Sequence, residues 1–328
     1  MRLAVSLIAL ALASPASAQT LAVIRAEAWT MESDEPVRDA TIIVDAGRIV
    51  SVTPGGAVPS DATVIDARGK PVTPGLVNAA TQIGLVEVAG SPDTVDTSST
   101  DERMPGYDPA RALNGNSTLV TLARADGLTR ALVYPSPSRG GPLSGEPVFA
   151  RLRDGADILD RGGVGVYAVI GGGAWSRLGA RAQQWTALRK LIEDAKRGAP
   201  PPGERKREGK GAAVPPAPQG GYEAMLAGIA AGKLPLAIQT NRESDIRQAA
   251  ALASDFGVRV IIVGGAEAWR AADVLAAAKV AVILDPQVNL PFNFDQLGAR
   301  QDNAALLAKA GVQVAIGQAG GVIHANYN

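Results

Sequence analysis

From Leu76 onward, apolar runs of strand length alternate with helical stretches, and this alternation most narrows the folds open to the chain. The runs are Leu76–Ala80, Arg130–Tyr134, Gly165–Ile170, Pro235–Gln239, Val258–Val263, Val280–Leu284 and Val312–Ile316. Between them the apolar spacing predicts helices over Pro109–Ala125, Leu178–Arg197, Tyr222–Ala231, Glu243–Phe256, Ala266–Ala278 and Asn303–Ala310. Short apolar runs without polar alternation read as strands buried on both faces, the signature of a parallel sheet whose crossovers are helices. Residues 73–328 number 256, close to the roughly 250 of a (β/α)₈ barrel. The expected fold class is therefore α/β, a TIM-like barrel, incomplete at its C-terminal end.

Residues 19–72 read differently. Ala40–Val44 and Ile49–Val52 flank Asp45-Ala46-Gly47-Arg48, a hairpin signal, and Ala62–Asp66 is followed by a turn at Arg68-Gly69-Lys70. This is a small all-β module, expected to be the β-sandwich part of a composite domain. Residues 1–18 read as a signal peptide: Arg2, an apolar run from Leu3 to Ala13, then Ala16-Ser17-Ala18 as a cleavage site. The run is too short to span a bilayer. The expected location is the periplasm or the medium. Within the barrel, residues 198–221 hold six prolines, six glycines and the charged run Glu204 to Glu208. Such a stretch buries no core and is expected to be a flexible insertion.

Composition excludes several chemistries. The chain has no cysteine and one histidine, His324, in 328 residues. That removes disulfides, thiolate metal sites, a thiol nucleophile and any site built on several imidazoles. Lys plus Arg and Asp plus Glu are 32 each, so no basic excess points to nucleic acid. No polybasic amphipathic helix points to a membrane surface.

The stretch from Ala40 to Val86 resembles the start of an amidohydrolase-superfamily protein, in its imidazolonepropionase-like, metal-dependent hydrolase branch. The carrying residues are Asp66, Gly69, Val72, Pro74, Gly75 and Leu76, an Asp-x-x-Gly-x-x-Val-x-Pro-Gly-Leu segment leading from a β-hairpin into the first barrel strand. Further similarities lie at Gly141–Glu146, a small-residue turn, and at Leu234–Ile246, strand 5 with its helix entry. Others are Gly264–Ala268, the end of strand 6, and Gly311–Ala319, strand 8. The resemblance implies hydrolysis of C–N bonds other than linear peptide bonds, with zinc or another divalent metal held at the C-terminal strand ends.

Carried over position by position, that metal site is nearly empty. The family's His-x-His pair falls on Ala80 and Gln82, its strand-5 His on Gln239, its strand-6 His on Gly264 or Gly265, and its strand-8 Asp on Ala319. The strand-4 region, 170–173, offers neither Lys nor Glu. Alanine and glycine donate nothing, and a Gln amide oxygen is a weak zinc ligand beside imidazole. No catalytic residue and no metal ligand is assigned, and no cofactor is expected. His324 lies beyond strand 8 and reads as an ordinary loop residue. A carboxylate pair among Glu87, Asp93, Asp96, Asp101 and Glu102 is the other acid–base arrangement the sequence offers, though such Asp- and Ser-rich loops are usually solvated. Glu267 reads as a helix start and Asp285 as a turn residue. Ser144 lacks a nucleophile elbow, and the glycines at 162–165 and 171–173 lack dinucleotide-fold spacing.

The resulting expectation is an exported amidohydrolase-fold protein without metal or catalysis. It would hold a small polar ligand in the barrel mouth or serve as partner to a paralogous amidohydrolase subunit. The alternatives are an active hydrolase with an atypical site and a non-functional fragment. The family continues past strand 8 with a helix and further sandwich strands, so a C-terminally shortened product is also expected.

Overall fold

The structure is a computed structural model that describes residues 20–88, 90–98, 107–137, 141–174, 178–198 and 220–317. The signal-peptide segment, Asp101, Glu102, Ala319 and His324 lie outside the described residues, as do residues 199–219 of the insertion. The chain divides into two compact units between Gly75 and Leu76.

The first unit is a single five-stranded sheet. Its strands are β1 (Leu21–Ala28), β2 (Val37–Asp45), β3 (Arg48–Pro54), β4 (Thr63–Asp66) and β5 (Pro71–Val72). The order is β3-β2-β1-β4, with β5 also pairing to β1. The hairpin closes as the sequence indicated: Asp45 faces Arg48, and Ala46 and Gly47 take φ of 48° and 74°, the left-handed pair that a two-residue turn matching strand twist requires. This one sheet holds the strands among the described residues of the unit.

The second unit contains β6 (Leu76–Thr81), α1 (Thr118–Ala125), β7 (Leu128–Val133), β8 (Leu143–Gly145), β9 (Val148–Arg151), β10 (Leu159–Arg161) and β11 (Val166–Val169). There follow α2 (Arg181–Lys196), α3 (Gly220–Ala230), β12 (Leu236–Thr240), α4 (Glu243–Phe256), β13 (Val260–Gly264), α5 (Ala272–Ala277), β14 (Ala281–Leu284), α6 (Asn303–Lys309) and β15 (Val314–Ile316). Strands β11 to β15 run parallel and join β8, which is antiparallel, in the order β15-β14-β13-β12-β11-β8. A second sheet has the order β10-β9-β7-β6, with β6 and β7 parallel. The alternating α/β organisation is thus present as two open sheets. Gly317, just after β15, passes so close to β6 that a Cβ there would stand 2.6 Å from the Ala80 nitrogen.

Strands β8 and β11 to β14 of the six-stranded sheet are covered on both faces, as their unbroken apolar runs require, while the edge strand β15 leaves Ala315 and Ile316 exposed. Ile238, Ile262 and Val282 pack with Leu188, Ile192, Met225, Ile246 and Leu275 from the helices. The other face carries a second cluster that holds the candidate site.

Four sequence expectations are corrected. The helix over Pro109–Ala125 is a short 3₁₀ turn at Pro109–Arg111 and then α1, which Ser117 caps by accepting from the Leu119 nitrogen at 3.2 Å. At the interruption the backbone bonds to distant chain instead of to a helical turn: the Asn114 nitrogen donates to the Gly84 carbonyl at 2.8 Å and the Gly115 nitrogen to the Ala156 carbonyl at 3.2 Å. The helix over Ala266–Ala278 begins as 3₁₀ at Ala268–Ala271 before α5. The small-residue turn at Gly141–Glu146 contains β8, and the insertion ends where α3 starts at Gly220.

Candidate functional site

Side chains alternate across a strand, so Ala237, Val263 and Ile283 turn away from the helices. They meet Ala80, Tyr134 and Tyr167 in a closed cluster on the inner face of the sheet. Tyr134 follows β7 and Tyr167 lies on β11, and their rings stack with centroids 4.4 Å apart and planes 18° apart. The Tyr167 hydroxyl donates to Gln239 Oε1 at 3.0 Å. Burial, with the Tyr134 phenol as the smaller influence, pushes the Tyr167 phenol well above its ordinary value. It is therefore a neutral donor near pH 7, locked onto an amide oxygen.

Around this stack lie further uncharged polar groups. Gln82 Nε2 donates to Ser136 Oγ at 2.8 Å, and the Ser136 nitrogen donates to the Thr97 carbonyl at 2.8 Å. Ala80 is placed by its nitrogen donating to Asn78 Oδ1 at 3.1 Å. Ser144 sits between Leu143, which packs toward the helices, and Gly145, so alternation points its side chain to the inner face. Its hydroxyl is fully buried and finds no partner among the described residues.

The structure brings Ala80 and Gln239 together at the stack, with Gln82 just past the end of β6. The strand-6 position is a backbone turn. Gly264 and Gly265 have φ of 93° and 60°, a region that disfavours any side chain with a Cβ. A Cβ at Gly264 would stand 2.7 Å from Asn241 Oδ1, and one at Gly265 would stand 3.0 Å from Val282 Cγ1. An imidazole does not fit there without rebuilding the turn. The strand-4 region is closed by another group: Asp295 Oδ2 accepts from the Gly172 nitrogen at 2.7 Å and would lie 3.0 Å from a Cβ on Gly171.

Several of the described carboxylates have structural tasks. Glu87 accepts from Asn114 Nδ2 at 2.9 Å and Ser117 Oγ at 2.7 Å. Asp93 accepts from Ser91 Oγ at 2.8 Å. Glu267, expected to start a helix, precedes the 3₁₀ turn, and its carboxylate accepts from the Glu243 nitrogen at 2.9 Å, capping the neighbouring α4, and from the Gly298 nitrogen at 2.7 Å. Asp285 closes a turn by accepting from the Gln287 nitrogen at 2.9 Å, as its place before Pro286 indicated. A small cavity of about 110 Å³ opens at the ends of β13 to β15, lined by Gly264, Asp285, Asn289, Gln301 and Asn303 among others.

Among the described residues, no three His, Cys, Asp or Glu side chains converge to hold a metal ion. The donor set at the mouth, two primary amides, phenols and hydroxyls, does not suit zinc. Sequence reasoning missed the tyrosine pair, although the ends of the predicted strands at Tyr134 and inside Gly165–Ile170 carried the signal.

No protein-family model matches the sequence, and no curated protein matches it. Solved structures do. An amidohydrolase from Thermotoga maritima MSB8 superposes with a TM-score of 0.78 at 22% identity, covering 93% of this chain and 80% of that one. N-isopropylammelide isopropylaminohydrolase from Burkholderia multivorans reaches a TM-score of 0.44 at 15% identity, covering 94% of this chain and 76% of that one. L-hydantoinase from Arthrobacter aurescens reaches 0.41 at 14% identity, over 82% and 59%.

Proposed function

We propose that this chain, which has the amidohydrolase-superfamily fold, has given up metal-assisted hydrolysis and binds a small uncharged, amide-bearing ligand at the inner strand ends. One observation carries the reading. Gln239, near the end of β12, is bonded to a stacked Tyr134–Tyr167 pair, at a position where a hydrolase of this fold needs an imidazole donor. Gln82 and Ser136 beside it offer paired donors and acceptors, and the buried Ser144 hydroxyl adds another. Such groups recognise an amide by hydrogen bonds without a charge to select an ion.

The same proposal has β6, β7 and β8 close with β11 to β15 into a barrel. It also has residues 1–18 direct export. Fractionation of the source cells tests export, with the chain expected outside the cytoplasm and lacking its first 18 residues.

The deciding experiment takes the full chain, purified without chelators, and measures bound zinc, iron and manganese, turnover of a cyclic dipeptide, and the melting temperature with cyclo(Gly-Gly). The expected result is metal far below one per chain, no turnover, and a melting temperature raised by the probe in the wild type but not in Gln239→Ala. Near-stoichiometric metal with turnover overturns the proposal. So does a probe-induced shift that survives Gln239→Ala.

A further inference from the structure

Half of the phenylalanines in the chain stand in one loop and point at solvent. The chain has four. Phe292 and Phe294, between β14 and α6, are 89% and 87% exposed, and Leu290 and Leu297 beside them are 67% and 62% exposed. Beside these apolar side chains, two polar residues of the same loop turn inward, Asp295 partly and Gln296 fully buried. Asp295 pairs with Arg181 and accepts from the Gly172 nitrogen at 2.7 Å. Asn293 Oδ1 accepts from the Asp295 nitrogen at 2.9 Å. Trp269 Nε1 donates to the Gly298 carbonyl at 2.8 Å, and that indole is flanked by the guanidinium groups of Arg270 and Arg300 at 4.8 and 4.6 Å. The aromatic residues are thus displayed by an anchored loop.

We propose that this loop is a self-association surface whose occupant is a second copy of this chain. Two aromatic side chains at roughly 200 Å² each, with two leucines, give an apolar patch on the order of 600 Å². That is the upper end of what a monomer leaves exposed and most of the roughly 800 Å² per partner that a stable interface buries. Charge selects the partner. Between Pro286 and Gly298 the one charged residue is Asp295, and Arg181 neutralises it. A two-fold copy of this patch therefore meets no like charge. An anionic membrane surface finds one cation in the loop, Arg300, and Asp302 already pairs with it.

The test is sedimentation of the full chain over a range of concentrations. The wild type is expected to form a dimer and stop there, and Phe292→Asp/Phe294→Asp to remain monomeric with an unchanged melting temperature. Because the chain has no cysteine, the single variants Phe292→Cys and Phe294→Cys give an independent readout. Oxidation with copper phenanthroline is expected to link at least one of them into a covalent dimer. A wild type that stays monomeric, or a dimer that the double substitution leaves intact and neither cysteine captures, overturns the proposal. So does a monomer that floats with neutral phosphatidylcholine vesicles through the same two phenylalanines.

Discussion

Tyr167 is shut between Tyr134 and Gln239, so its proton is bound to the folded state. Burial is the larger cause and Tyr134 the smaller in pushing its phenol well above 10.0. Tyr222, on α3, is likewise pushed up by burial, from 10.0 to about 12. The sign follows from linkage. Above pH 10 the unfolded chain loses these protons while the folded chain keeps them, so the unfolded state binds fewer and stability falls as pH rises. The contribution is fully present below about pH 10 and is lost through about pH 12 and beyond. Each group then removes about 1.4 kcal/mol per pH unit. Tyr167→Phe is expected to cost about 1 kcal/mol at neutral pH by deleting the bond to Gln239, and to flatten the alkaline loss by one group. Urea denaturation at pH 8, 10 and 11 checks this. An unchanged alkaline slope in Tyr167→Phe would refute the assignment.

At the scale of elements, Asp245 ties together pieces far apart in sequence. It stands in the first turn of α4, is almost wholly buried, and accepts from Arg181 Nη1 at 2.8 Å and Trp185 Nε1 at 2.9 Å, both on α2. Arg181 in turn holds Asp295 in the loop after β14. Removing one member of a buried pair leaves the other desolvated and unpaired, a loss of about 3–5 kcal/mol. Asp245→Ala is therefore expected to lower the urea midpoint sharply, far more than Asp154→Ala, whose pair with Arg124 stands in solvent and is screened by it. Equal midpoint shifts in the two variants would contradict the account. None of this tie was legible in the sequence, because Arg181, Asp245 and Asp295 share no local spacing. What was legible is local. Helix α4 matches its predicted span because its apolar period is unbroken and Gly257, at φ 60°, stops it. The helix over Pro109–Ala125 is broken where Asn114 and Gly115 donate to the distant carbonyls of Gly84 and Ala156, pairings that no local spacing announces. Strands β8 and β10 were missed because Leu143-Ser144-Gly145 and Leu159-Asp160-Arg161 carry no apolar run. At the candidate site, Ala80, Gln82 and Gln239 were singled out through the resemblance. The stack that fills the space was not, since Tyr134 and Tyr167 come together only when β7 and β11 fold into one cluster.

For the molecule as a whole, the two units differ in what holds each together. The cluster inside the first is Ala26, Ala28, Ala40, Ile42 and Ala67, with valines packed around it. Four of these five side chains are single methyl groups, and each buried methyl or methylene contributes only about 0.8 kcal/mol. Strands β1 and β2 also carry residues in the left-handed region, Arg25 at φ 54° and Asp39 at φ 50°, beside breaks in their pairing register. A residue with a Cβ held there costs about 1–2 kcal/mol. The second unit instead buries Leu188, Ile192, Met225, Ile229, Ile238, Ile246 and Leu252 completely or nearly so, and its parallel strands β12 and β13 are covered on both faces. Local opening follows local contact energy. Native-state hydrogen exchange is therefore expected to release the amides of β1 and β2 at lower denaturant than those of β12 and β13, with the slowest protons at Ile238 and Ile262. Removing a single large side chain separates the units further. Ile238→Ala should lower protection throughout β11 to β14 by about 2–5 kcal/mol while the order of β1 and β2 exchange stays as it was. If β1 and β2 lose protection in step with β12, the chain opens as one cooperative body and the two cores do not set separate stabilities.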